Sequence, residues 1–116
     1  MAHQGLELPA WADLSAPDAA QETRNQARQQ IDVIDAGITR LLNDRARVVE
    51  VIGQAKQRLA MRVYEPRREQ DVMANVARSN TGPLSDAALS RVYELIMDEM
   101  RNLQRGRVRA KEESEQ

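Results

Sequence analysis

The apolar positions between residues 23 and 61 follow a heptad pattern. The positions of this stripe recur alternately four and three residues apart, and all of them except Arg45 are apolar: Ala27, Ile31, Ile34, Ile38, Leu41, Arg45, Val48, Ile52, Ala55 and Leu59. Such spacing lines up one face of a helix that packs against other helices. Pro66 bounds the pattern, because proline disfavours helix in the residue before it. The pattern therefore predicts a first helix from about residue 23 to 61. Its first turn stays open, because Ser15 with Asp18 could form a capping box at an early start, whereas Asp18 or Thr23 would cap a later one equally well.

Two shorter helices are predicted after it. Pro66 suits the first turn of a helix that runs to about Arg78, with Val72, Met73, Val76 and Ala77 on its apolar side. Ser85 is a good N-cap for a third helix. That helix reaches about Gln104, with Gly106 as its expected terminator, and its apolar stripe is Leu89, Val92, Ile96, Met100 and Leu103. The predicted fold class is all-α, with three helices per subunit in the order long, short, medium.

The first helix is too long for one compact subunit. At 1.5 Å per residue it spans roughly 58 Å, whereas a compact chain of this length has a diameter of only about 35 Å. One subunit cannot cover that stripe, so a second copy is expected to bury the excess. We predict a homodimer with the long helix as its spine.

The two ends of the chain lack this periodicity. Residues 1–20 contain two prolines and are expected to form a flexible leader, whereas 106–116 are expected to form a charged flexible tail. The helical domain is therefore assigned to residues 21–105. His3, the only histidine, lies in the leader and has no second histidine with which to bind a metal.

Composition narrows the possible functions. The chain has no cysteine, which excludes disulfides, thiol catalysis and cysteine-based zinc sites. Lys and Arg number 17 against 18 Asp and Glu, so no global positive field attracts nucleic acid or anionic lipid. No segment approaches the roughly 18 apolar residues of a membrane span. We expect a cytoplasmic protein with neither nucleic acid nor a membrane as partner.

Several charged residues interrupt the apolar pattern. Arg45 occupies a stripe position, where a guanidinium either pairs with an anion or extends its charged end to solvent. Lys56 points within about 20° of Arg45 and lies roughly 16 Å further along an ideal helix. Arg28 lies about 42 Å of helix from Lys56, too far for one small-molecule site within a subunit. An antiparallel partner would bring the second copy's Arg28 toward that site.

These residues belong to a set of spaced motifs. They are R-x-x-I-D-x-I-D from Arg28, L-L-x-x-R ending at Arg45, I-G-x-x-K ending at Lys56, Y-E-P-x-R-E at 64–69, and a final Gln104. In this order and spacing the chain resembles the all-α chorismate mutase family. The resemblance implies an intertwined homodimeric helical bundle that converts chorismate to prephenate, in the pathway to phenylalanine and tyrosine.

The resemblance also implies roles for the motif residues. Arg28 of the partner subunit and Arg45 would bind the two carboxylates of chorismate, a task suited to planar guanidinium groups. Lys56 and Gln104 would donate hydrogen bonds to the ether oxygen, where negative charge grows as the C–O bond breaks. Because the rearrangement is an intramolecular [3,3] shift, it needs no nucleophile, and neither a cofactor nor a metal is expected.

The remaining implied contacts lie around the second helix. Glu69 would accept a hydrogen bond from the ring hydroxyl, and Arg68 would support the site from its edge. Met100 stands where several relatives have serine, so that ring-carboxylate contact is missing or supplied otherwise. Glu65 stands where many relatives have aspartate; it is a poorer N-cap, and its contact with the hydroxyl stays open.

Two alternative functions remain. Isochorismate pyruvate lyase shares the fold and the Arg, Arg, Lys and Gln set but lacks the Arg–Glu pair that begins the second helix, so Arg68 and Glu69 favour the mutase. The other alternative is a non-catalytic helical dimerisation module, in which Arg45, Lys56 and Gln104 would be dispensable. The presence of all three polar residues together argues against this alternative.

Overall fold

The computed structural model describes residues 17–115, which form three helices and no strand. The helices are α1 (Pro17–Arg58), α2 (Pro66–Ser79) and α3 (Asp86–Ser114). This confirms the predicted all-α fold. Residues 1–16, which hold His3 and most of the predicted leader, lie outside the described residues.

Helix α1 begins at Pro17, which corresponds to the early start among the alternatives left open, and it ends at Arg58 rather than near residue 61. After it, Ala60 adopts a left-handed conformation with φ 54°, and the Met61 amide donates to the Lys56 carbonyl at 2.8 Å. This is the arrangement of a Schellman cap, which usually has glycine at the left-handed position. Because alanine stands there, the sequence carried no stop signal at this point.

The starts of α2 and α3 match their predictions. α2 begins at Pro66, and the side chain of its N-cap, Glu65, makes no capping hydrogen bond. This agrees with the expectation that glutamate caps poorly. At α3 the Ser85 hydroxyl accepts a hydrogen bond from the Ala88 amide at 3.0 Å, so the predicted cap is confirmed.

The predicted end of α3 was wrong. The helix passes through Gly106 and continues to Ser114. A glycine inside a helix costs only about 1 kcal/mol relative to alanine, and good helix formers follow it. An ion pair between Arg107 and Glu50 also joins this part of α3 to α1. The division into leader, domain and tail stays a prediction.

The described residues fall into two compact units, 17–44 and 45–115. The first is the N-terminal part of α1. Its stripe residues are exposed to solvent in the single chain: Ile31, Ile34, Ile38 and Leu41. These four apolar side chains are 38–62% exposed.

The second unit contains the rest of α1 together with α2 and α3. α2 packs against α3, and the buried apolar side chains of this unit are Val49 and Met97. Other stripe residues of α1 stay exposed here too, namely Val48, Ile52 and Leu59. None of the three described helices is apolar over a length that would cross a bilayer.

Candidate active site

A cavity of about 390 Å³ lies within the second unit, where α1, the start of α2 and the middle of α3 meet. Its polar lining consists of Arg45, Lys56, Glu65, Arg68, Glu69, Arg101 and Gln104. Its apolar lining consists of Val48, Val49, Ile52, Val63, Val72, Met97 and Met100. Charged groups thus face a cavity that also has hydrophobic walls, as is usual for small-molecule sites.

Lys56 and Gln104 form a buried pair in this cavity, being 9% and 7% exposed. The Lys56 ammonium donates to the Val63 carbonyl at 2.8 Å and contacts Glu65 Oε1 at 2.8 Å. It lies 3.5 Å from Gln104 Oε1. Since an ammonium only donates, this contact turns the amide nitrogen of Gln104 the other way, where it donates to the Val49 carbonyl at 3.4 Å. That bond is longer than the usual 2.7–3.2 Å, so the amide N–H groups are weakly engaged.

Glu65 therefore contacts Lys56, an interaction that the sequence did not predict. Its carboxylate lies beside the ammonium instead of capping α2. The longer side chain reaches across from the loop to α1 and holds Lys56 against the cavity wall.

Gly53 makes room for Gln104. A Cβ atom at this position would lie 3.3 Å from Gln104 Cγ, closer than an ordinary contact. The glycine lets the backbone of α1 approach the Gln104 side chain. This explains the glycine of the I-G-x-x-K motif, which places Gly53 one turn before Lys56.

Arg101 is a cavity residue that the sequence analysis missed. Its guanidinium binds both carboxylate oxygens of Glu69 and also pairs with Asp98. Its central carbon lies 5.3 Å from the centre of the Tyr64 ring, within range of a cation–π interaction.

A sequence signal for Arg101 was present. Met97, Met100, Arg101 and Gln104 are spaced as neighbours on one face of a helix. A charged residue among them is the same anomaly that singled out Arg45.

The charges of the cavity do not cancel. Four cationic side chains line it, at positions 45, 56, 68 and 101, against two carboxylates, Glu65 and Glu69. Both carboxylates already have partners, Lys56 and Arg101. Among residues 17–115, Arg45 and Arg68 have no carboxylate partner. The cavity is therefore suited to a small ligand with two negative charges.

Seven of the eight predicted site residues line this one cavity: Arg45, Lys56, Glu65, Arg68, Glu69, Met100 and Gln104. The eighth, Arg28, lies on α1 in the 17–44 unit and is exposed. Within the described part of the chain, no three His, Cys, Asp or Glu side chains cluster so as to hold a metal ion.

Comparison with known proteins identifies one family. The sequence profile described as Chorismate mutase type II matches residues 27–105. The chain is 43% identical over 72 residues to a bifunctional chorismate mutase/prephenate dehydratase of Neisseria gonorrhoeae, a match over 62% of this chain and 19% of the relative. It is 31% identical over 88 residues to the protein of the same description from Aquifex aeolicus, over 72% of this chain and 24% of that one. The chain thus spans only about a fifth to a quarter of these curated relatives.

Solved structures give the same result. A chorismate mutase (form II) from Thermus thermophilus aligns with a TM-score of 0.68 and 31% identity, over 71% of this chain and 94% of that one. Form I of the Thermus enzyme aligns with a TM-score of 0.63 and 32% identity, over 66% of this chain and 98% of the other.

Proposed function

The chain belongs to the chorismate mutase type II family, and from this we propose that it rearranges chorismate to prephenate. The observation that carries the proposal is the cavity of the 45–115 unit. Arg45 and Arg68, which have no carboxylate partner among the described residues, line the same cavity as the buried donors Lys56 and Gln104. Chorismate carries carboxylates that suit the arginines and an ether oxygen that suits the buried donors.

Recognition of the two carboxylates is assigned to arginines. Arg45 is half-buried on the cavity wall, where a guanidinium binds a carboxylate through two parallel hydrogen bonds. Arg28 of the partner subunit is proposed for the other carboxylate. Two such clamps hold the flexible substrate in its reactive conformer, which removes much of the entropic part of the barrier.

Stabilisation of the transition state is assigned to Lys56 and Gln104. Negative charge grows on the ether oxygen as its bond to the ring breaks. A buried ammonium and a weakly engaged amide, placed in advance of the reaction, stabilise that charge without the cost of reorganising water. Glu65 supports this arrangement because it holds Lys56 in position.

The ring hydroxyl is assigned to Glu69, with Arg68 at the edge of the site. Glu69 lines the cavity and keeps its carboxylate paired with Arg101. Met100 also lines the cavity but offers no hydrogen bond, so in this proposal the ring carboxylate relies on the arginines.

A homodimer is proposed as the active form. The exposed stripe residues within 17–44 are apolar side chains that a second copy would remove from water. In this arrangement Arg28 of the partner subunit completes each site. The cytoplasmic location predicted above rests on the family and stays a prediction.

The test is the loss of ultraviolet absorbance of chorismate with the purified protein, combined with analysis of the product. We expect prephenate. Release of salicylate and pyruvate from isochorismate, without prephenate from chorismate, would instead identify the lyase. Absence of both reactions would refute both of these enzymatic functions.

A matched pair of variants links the activity to the cavity. Lys56→Met should lower kcat by about 10²–10³, the usual effect of removing one preorganised donor. Lys111→Met removes an exposed lysine of α3 that does not line the cavity, and it should leave the rate unchanged. Equal rates for both variants would contradict the role of Lys56.

A further inference from the structure

Arg101 occupies the cavity wall without a role in the reaction proposed above. Its side chain is 21% exposed, and that of its partner Glu69 is 24% exposed. The pair joins α3 to the first turn of α2 across 32 residues of sequence. The interaction is thus a tertiary contact at the site rather than a surface ion pair within one helix.

Glu69 needs a neutralising partner in this place. A lone carboxylate in a partly buried cavity would repel the two carboxylates of the substrate, and the low local dielectric would strengthen that repulsion. Arg101 contributes one positive charge at both oxygens of Glu69. A carboxylate has about four acceptor positions, so this contact leaves Glu69 able to accept a further hydrogen bond.

The guanidinium is itself held from two other sides. Asp98, three residues earlier on α3, pairs with its second nitrogen, and the Tyr64 ring lies beneath its central carbon. A group fixed in this way orients the carboxylate it binds, because neither partner is free to rotate.

We propose that Arg101 is a positioning residue, which holds the Glu69 carboxylate in the orientation that receives the substrate hydroxyl and cancels its charge toward the dianion. The inference rests on the proposed function and adds a residue to it. Arg101 does not touch the substrate in this mechanism. Its effect passes through Glu69.

A double-mutant cycle tests this dependence. Arg101→Met keeps an unbranched but shorter side chain and removes its charge, and we expect kcat/KM to fall about tenfold, as for other contacting pairs. The loss should appear mainly as a raised KM, because the unneutralised carboxylate repels the dianion. In a Glu69→Gln background the same substitution should have almost no effect, since no charge is left to neutralise. Arg101→Lys should restore KM because it keeps the positive charge. It should leave kcat somewhat below the wild-type value, because an ammonium cannot bind Glu69 and Asp98 through two separate, rigidly linked nitrogens as the guanidinium does.

Arg105→Met is the matched control. It removes the charge of another arginine of α3, whose side chain is exposed and does not line the cavity, and kcat/KM should stay within about twofold because surface substitutions usually have small effects. Circular dichroism of each variant checks the helix content. If Arg101→Met does not fold, the double-mutant cycle is carried out with Arg101→Lys and Glu69→Gln instead.

Two failures are distinguishable. In the first, the wild-type protein is active, but Arg101→Met lowers kcat/KM by the same factor with and without the Glu69→Gln substitution. That result overturns the inference alone and assigns Arg101 to direct substrate contact. A wild-type protein that converts no chorismate refutes the proposed function, and the inference fails with it.

Discussion

Gly53→Ala is the substitution that most directly tests the placement of Gln104. The added methyl group would lie 3.3 Å from Gln104 Cγ and 3.9 Å from its Cβ. Carbon atoms prefer separations of roughly 3.5–4.0 Å, so the Cγ atom and the amide beyond it must move by a few tenths of an ångström. The Cβ atom of Gln104, at 3.9 Å from the added methyl, is already at an ordinary contact distance and need not move.

The expected loss of rate follows from that displacement. A misplacement of about 1 Å can cost about 10²-fold in rate, so a shift of up to half that size corresponds to about tenfold if the barrier rises evenly with distance. The hydrogen bonds of Gln104, at 3.4 and 3.5 Å, are already long and do not resist the movement. We expect kcat to fall about tenfold, with a smaller change in KM.

The stability of the Gly53→Ala protein should rise although its activity falls. Alanine inside a helix is more favourable than glycine by about 1 kcal/mol, and the contact with Gln104 subtracts only part of that gain. Gly106→Ala is the control, since it lies in α3 with nothing within 4 Å of the added methyl. Gly106→Ala should raise stability by the full gain of about 1 kcal/mol and leave the activity unchanged.

The assay is steady-state chorismate consumption, with thermal unfolding of each variant measured in the same buffer. In a Gln104→Ala background, Gly53→Ala should cost nothing further, because the atom it displaces is absent. A full wild-type kcat for Gly53→Ala, together with a strong loss for Gln104→Ala, would refute the reasoning that the position of this amide sets the rate.

Two further predictions concern the same site. The activity of Gln104→Glu should be about 10²–10³-fold lower than that of wild type at neutral pH. It should recover as the pH falls, because protonation of the new carboxyl restores a hydrogen-bond donor. Burial beside the dianion raises the pKa of that carboxyl, whereas Lys56 opposes the rise. A pH profile identical to that of wild type would contradict the donor role. Refolding an equal mixture of inactive Arg28→Ala and Lys56→Ala chains should return about a quarter of wild-type activity, because about half of the dimers are then mixed and carry one intact site. No recovery, despite mixed dimers detected by differential tags, would contradict the contribution of Arg28 in trans.

The elements whose signals are local could be predicted from the sequence. The heptad spacing of α1, proline at the start of α2 and the Ser85 cap of α3 each depend on residues within one or two turns. Arg45 could be predicted for a related reason, because it is a charged residue at a position where the helical period requires an apolar one. Lys56 lies outside that stripe, and its role, like those of the other site residues, was predicted from the order and spacing of the motifs.

Tertiary structure decided the partners of those residues and the ends of the helices. Glu65 turned to Lys56 rather than to its own helix, and Arg101 found Glu69 on another helix. α3 continued past Gly106, where Arg107 pairs with Glu50 on α1. These contacts join residues that are far apart in sequence, so their geometry depends on how the helices pack. Helical periodicity reports which face a residue occupies, and only the packing of that face determines what the residue meets.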